Sequence, residues 1–381
     1  MNKIKSLMLA MMVILASATF TACGSDDDDN KNIPPVVDDQ SNYDRYQKAV
    51  NAIVNGQKKN NKVILVVAFG STWEQAYDTF DKVVEDYKAS FPGWDVFLSF
   101  SSAICINNAR AGENVAPRDY YDPEHFLTAI GLAGYKQIVV QSLQVIPGEE
   151  YRRVRDSYVK DFMNNRNGDF TDAYMKSIDR QVVVGVPLMG EATDVEKLAI
   201  VLHDESDIKS VINAGGTVAF MGHGNPESYD YYGANIRYTE LEEAMQTLNS
   251  HYFVGTVDME DNYAVDVIQR MREDGITSGK VQLYPLMSIA GDHAHNDMAD
   301  EDDDESWYNL MTDAGYDVQT YERNFTEPCW KNTSEIQKNG YIPALAERSK
   351  VRALWMQHTR EAIAKLGTDE ALSTPTTAPE E

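Results

Sequence analysis

The run Val63-Ile64-Leu65-Val66-Val67-Ala68-Phe69 is continuously apolar, rich in β-branched residues, and stops at Gly70-Ser71-Thr72 before sequence of helical period. A run of this kind, closed by a Gly/Ser turn and followed by a helix, reads as a strand buried on both faces of a parallel sheet. The unit recurs. Asp95–Phe100, Gln137–Leu143 and Gln181–Gly185 read as further strands. Helical stretches near residues 74–90, 123–134 and 148–165 separate them, and Thr72 with Gln75 fits a capping box at the start of the first. Strands that alternate with helices imply an α/β fold with a mainly parallel sheet.

The second half repeats the scheme. Thr217–Met221 runs into Gly222-His223-Gly224, and Tyr252–Val257 and Val281–Leu286 are the next strands. Ala68-Phe69-Gly70-Ser71 parallels Phe220-Met221-Gly222-His223. Leu143–Glu150 parallels Leu286–His293, in the same order along the chain. This predicts two similar doubly wound domains whose strand ends face one cleft, the usual ligand position in such sheets. Ser71, Glu150, His223 and His293 all follow strand ends and are candidates to line it.

The chain has 381 residues, 43% hydrophobic, enough for two domains or half-domains. Its 60 acidic residues against 34 basic ones give a net charge of -26, which argues against a nucleic-acid partner. The N-terminus reads as a targeting segment. Lys3 and Lys5 precede an apolar run, Leu7–Ala16, and small residues lead to Ala22-Cys23, as in a bacterial lipobox. Cys23 is then the lipidated first residue of an exported protein anchored to the cell envelope, facing the periplasm or the outer-membrane surface. Asp26–Asp29 resembles a lipoprotein surface-export signal and also reads as a solvated tether. The expected organisation is a signal peptide at 1–22, an acidic tether at 23–42, α/β halves at 43–190 and 191–367, and a disordered tail at 368–381. Cys105 and Cys329 either pair or stay as two buried thiols.

Of the seven histidines, His203, His251 and His358 read as surface or cap residues, and His125 as part of a helix start. His223 stands between two glycines after an apolar strand, where the backbone can turn sharply and a ligand can approach closely. His293 lies in Gly291-Asp292-His293-Ala294-His295-Asn296-Asp297, where Asp292 or Asp297 can take the second ring proton of a metal-bound imidazole. His295 is ligand, support or surface. Asp258 or Glu260, between the two histidines in sequence, can complete a His/His/carboxylate set suited to Co, Fe, Ni or Zn.

Val66–Ser71, Gln141-Ser142-Leu143, Gly148-Glu149-Glu150-Tyr151, Gly185-Val186-Pro187-Leu188, Gly222-His223-Gly224, Pro285-Leu286-Met287 and Gly291-Asp292-His293 stand in an order that resembles the anaerobic sirohydrochlorin cobaltochelatases of the CbiK type. Asn296–Ala299 and Asp304–Trp307 continue the likeness, which covers roughly residues 62–365. The resemblance implies two chelatase-like α/β domains with the tetrapyrrole between them and insertion of Co2+ without ATP. It puts the family's metal-binding histidines on His223 and His293, its glutamate on Glu150, and its third carboxylate on Asp258 or Glu260. Proton acceptance would fall to Glu150 and the histidines. Ser71, Gln144 and Arg152, with Arg110 and Arg153, would serve the tetrapyrrole, the arginines as donors to its carboxylates. Two departures stand out: Gln144 replaces a histidine that many members carry, and the chain reads as exported. The rival readings are a surface protein that binds haem or another tetrapyrrole, with or without iron removal, and a lipoprotein that delivers metal. Implied partners are a sirohydrochlorin- or haem-like tetrapyrrole and the membrane through Cys23, with assembly into a homo-oligomer left open.

Overall fold

The apolar runs become strands, and every pairing between them is parallel. A computed structural model describes residues 40–112, 117–320 and 341–374. Among these, β1 (Lys62–Ala68), β2 (Asp95–Phe100), β3 (Gln137–Ser142) and β4 (Val182–Gly185) form one sheet, ordered β2-β1-β3-β4. β5 (Thr217–Gly222), β6 (Tyr252–Thr256), β7 (Gly279–Pro285) and β8 (Tyr316–Gln319) form a second, ordered β6-β5-β7-β8. The strand orders are the same, so the sequence correspondences reflect a repeated topology. β8 is the strand that the apolar pattern does not announce, because its four residues alternate between buried and exposed.

Alternation along each strand splits the core into three layers. Ile64, Val66 and Ala68 point one way with Val218 and Phe220 of the other sheet, in one core shared by both halves. Val63, Leu65 and Val67 point into a second core under the first sheet, and Ala219 and Met221 into a third under the second sheet. Each fully buried Val, Leu or Ile adds about 1.5–3 kcal/mol of transfer free energy. The shared layer therefore joins the two halves through one continuous core.

The last helix, Ser349–Ala364, follows the second half in sequence but packs on β3 and β4 of the first sheet. Trp355 Nε1 donates to the Gln144 carbonyl at 3.3 Å, and Thr359 Oγ1 donates to Gln141 Oε1 at 2.8 Å. His358 on this helix is not a surface residue. It is 3% exposed, with Nε2 3.3 Å from Asp194, because the helix is sandwiched rather than peripheral. Residues 368–374, which the sequence reading put in the tail, are among the described residues. Leu372 forms an antiparallel bridge with Val182, and Thr374 binds Asp179, so the apolar Ala371-Leu372 pair extends the ordered chain. The leader, Cys23, the Asp26–Asp29 run and Cys329 lie outside the described residues. Cys105 is buried as a free thiol, pushed up to about 11 by that burial.

The helix Glu74–Ser90 starts without a capping box, because tertiary contacts claim both side chains. Thr72 Oγ1 donates to Asp292 at 3.3 Å, while Gln75 Nε2 turns inward to the Ile342 carbonyl at 2.9 Å and to Glu347.

Candidate active site

Strand order reverses beside β1 and β3 in one half and beside β5 and β7 in the other, so the loops after these four strands flank a crevice. The candidate residues lie on these loops. Ser71 follows β1, Glu150 follows β3, His223 follows β5 and His293 follows β7. Loops of opposite halves touch: those after β1 and β7 through Thr72 and Asp292, and those after β3 and β5 through close packing of Asn225 against Gly148.

The two imidazoles meet, with ring centroids 4.7 Å apart and planes at 90°. The glycines beside His223 do different jobs. A Cβ on Gly222 would strike the Tyr238 ring at 2.3 Å, so that position is small for packing. Gly224 takes φ +79, and a Cβ there would come within 2.8 Å of the Met259 nitrogen, a turn and close approach that no larger residue fits. The Gly224 carbonyl is 2.8 Å from His223 Nδ1. His293 Nδ1 is 2.6 Å from Asp297 Oδ2, across one turn of a π-helix (Ala294–Met298). Both rings therefore have Nδ1 engaged by an acceptor, which leaves the Nε2 lone pairs available for a cation. The side chains of His223 and His293 are 37% and 25% exposed, so a metal ion can reach them.

Their titration is split. Desolvation holds His223 below the usual histidine range, and the neighbouring His293 adds to that shift. Burial acts most strongly and lowers His293 as well, but the hydrogen bond to Asp297 and the charges of Asp297, Asp258 and Asp292 together outweigh it and raise the group. One ring is thus predisposed to stay neutral and the other to keep its proton.

Between the two candidate carboxylates, Asp258 is at the pair and Glu260 is exposed. The Asp258 amide donates to the His223 carbonyl at 2.8 Å, and its Oδ2 lies 3.5 Å from His223 Nδ1. Among the described residues, no three His, Cys, Asp or Glu side chains converge closely enough to hold a metal ion. What the chain supplies is a two-imidazole site with a carboxylate beside it.

Glu150 is the second residue of a short helix, Glu149–Arg153, that also runs into a π-helix, Val154–Val159. It accepts from Ser101 Oγ at 3.1 Å and lies 3.6 Å from Arg153, and its charge reaches His223. Ser71 is 4% exposed, and its Oγ accepts from the Trp73 amide at 3.1 Å, so the hydroxyl serves the turn. The Gln144 side chain folds back on Ser142. Arg152 is exposed on the Glu150 helix. Arg110 is engaged elsewhere. It donates to the Tyr120 carbonyl at 2.6 Å and lies 3.8 Å over the Tyr46 ring, because its helix backs onto those aromatics.

Trp73, which motif reading passes over, stacks on His295 with centroids 3.6 Å apart and planes at 9°. His295 is buried, and that burial pushes it down to about 4, so it is a neutral support for the loop. Of the two aspartates beside His293, Asp297 orients the ring, while Asp292 accepts from Trp73 Nε1 at 2.6 Å. An aromatic directly after the Gly-Ser-Thr turn was the available signal for Trp73.

Fold and site together define a two-lobed α/β protein whose second half brings two histidines side by side. Residues 62–364 match the cobalt chelatase (CbiK) family, and the chain belongs to it. It is 28% identical over 307 residues to a sirohydrochlorin cobaltochelatase of Salmonella typhimurium, covering 79% of this chain and 96% of that protein. It is 31% identical over 306 residues to a sirohydrochlorin cobaltochelatase of Nitratidesulfovibrio vulgaris, covering 80% and 92%. Among solved structures it is similar to SirB from Bacillus subtilis with Fe3+, at 14% identity and a TM-score of 0.46, covering 80% of this chain and 96% of that one.

Proposed function

We propose that this chain is a chelatase that inserts Co2+ into sirohydrochlorin or a closely related tetrapyrrole. One observation carries the reading: two imidazoles meet in the crevice with both Nδ1 atoms engaged and both Nε2 atoms available. His223 and His293 hold the ion, with Asp258 as the nearest carboxylate. Two protein ligands bind a transferred ion less tightly than a closed set of four, and four macrocycle nitrogens can then take it away. Insertion releases two pyrrole protons per ion. Glu150, whose charge reaches His223, accepts one, and a histidine freed of the metal accepts the other. Arg152 and Arg153 on the Glu150 helix face an acidic macrocycle in a chain whose net charge of -26 would otherwise repel it.

The test is anaerobic absorbance with sirohydrochlorin and Co2+, beside His223→Ala and His293→Ala. Insertion by the parent protein, lost in both variants, is expected. A rate equal to the protein-free rate would end the cobalt reading. Haem binding without any metal transfer would replace it with a tetrapyrrole receptor.

We also propose that the protein is exported and anchored through lipid on Cys23, a reading supported by Leu7–Ala16 and Ala22-Cys23. Cys23→Ala should move the protein from the membrane to the soluble fraction and abolish labelling by a fatty-acid probe. Unchanged fractionation and labelling would end that reading.

A further inference from the structure

The loop that carries His293 is held from the other half of the chain. Asp292, the residue before His293, accepts from Trp73 Nε1 at 2.6 Å and from Thr72 Oγ1 at 3.3 Å. His295, two residues after His293, lies flat against the Trp73 ring at 3.6 Å. The Trp73 amide is in turn fixed by Ser71 Oγ at 3.1 Å. His293 is therefore bracketed by two contacts from one indole, and that indole belongs to the loop after β1.

The pseudo-symmetric contact is built differently. Tyr232, after β5, donates its hydroxyl to Asp156, after β3. This contact is a single hydrogen bond from a side chain 56% exposed, on a residue at φ +68. Both contacts link the loop after the first strand of one half to the segment after the third strand of the other. Only the Trp73 contact grips residues that flank a candidate metal ligand.

We propose that Trp73 is a positioning residue of the metal site: its indole hydrogen bond to Asp292 and its stack on His295 set the distance between His293 and His223. The proposal rests on the chelatase reading for its effect on turnover, but not for its effect on metal binding. His223 is fixed by its own half through Gly224 and the Asp258 amide. His293 stands beside it on the loop after the neighbouring strand β7, so the pair geometry depends on how that loop is pinned. A second coordinating ring displaced by a fraction of an ångström loses ligation before it loses fold.

The experiment compares Trp73→Ala, Trp73→Phe and Tyr232→Phe in the full chain. It reads the dissociation constant for Co2+ alone by absorbance titration, kcat and KM for insertion into sirohydrochlorin, and the melting temperature. Trp73→Ala is expected to weaken Co2+ binding and lower kcat by about tenfold or more each, with KM within about threefold. Trp73→Phe keeps a ring to stack but cannot donate to Asp292, so an intermediate loss of about threefold is expected. Tyr232→Phe should match the parent in Co2+ affinity and kcat. Parent-like Co2+ affinity and kcat in folded Trp73→Ala would overturn the proposal. So would a rise in KM alone, which would make Trp73 a macrocycle contact, or an equal loss in Tyr232→Phe, which would make both contacts mere domain clasps. If Trp73→Ala does not melt cooperatively, Trp73→Phe decides, and parent values there overturn the proposal. If the parent inserts no metal, the chelatase reading fails while the Co2+ titration still decides the role of Trp73.

Discussion

The two halves of this chain share a strand order and deliver the same loops to the crevice, yet they bring different chemistry. The first half offers Ser71 and Glu150 where the second offers His223 and His293. Each third-strand loop leads through its site residue into a π-helix, Val154–Val159 after Glu150 and Ala294–Met298 after His293. A wide turn of this kind often marks a functional position. The repeated backbone thus fixes where a functional side chain can stand, and residue identity decides what it does. The paired imidazoles, with Asp258 beside them, belong to the second half and Glu150 to the first, so on the proposed reading an ion held by one wall meets a proton acceptor on the other. A symmetric site with four histidines would close around a metal and keep it.

This division of labour can be broken most severely at the imidazoles. His223→Ala or His293→Ala should lower insertion by roughly 10³-fold, since each removes a ligand and a proton acceptor together. Stopped-flow absorbance measures it, and activity persisting in either variant would return metal binding to both halves. Next, Glu150→Gln should lower kcat by about 10²-fold while leaving Co2+ affinity within about twofold. Equal losses in affinity and rate would make Glu150 a ligand and erase the contrast.

A smaller effect lies where the halves join. Burial raises Glu347, which receives Gln75 from the other half, to about 8. The unfolded chain ionises near 4.5. Below that value both states hold the proton. Between about 4.5 and about 8 the unfolded state loses it first, so stability falls as pH rises, by at most about 1.4 kcal/mol per pH unit. Glu347→Gln should flatten this slope in urea titrations across the window, and an unchanged slope would place the ionisation elsewhere. The smallest effect is at the exposed clasp. Tyr232→Phe should cost about 0.5 kcal/mol of unfolding free energy, the low end for a hydrogen bond open to water. A loss several times larger would show that the two clasps are energetically alike.

Much of the scaffold was legible. Seven of the eight described strands follow from apolar runs, because a strand buried on both faces has no polar positions to blur it. β8 was not legible, since a short strand with one wet face looks like ordinary loop sequence. His223 and His293 stood out through their Gly-His-Gly and Gly-Asp-His settings. Asp258 and Glu260 did not separate by spacing, because the choice depends on one backbone bond from Asp258 to the His223 carbonyl. His358 read as surface although it is buried, because its environment is a helix packed against a distant sheet.

The sequence by itself determined the fold class, the repeated halves and the two histidines, since strand burial and glycine turns are written in neighbouring residues. Only the tertiary structure decided which aspartate orients His293, which one is clasped by Trp73, and that the last helix returns to the first sheet. Those outcomes rest on contacts such as Thr72 with Asp292, 220 positions apart. Local periodicity reports that a side chain is buried, but the partner it meets is set by how whole sheets pack.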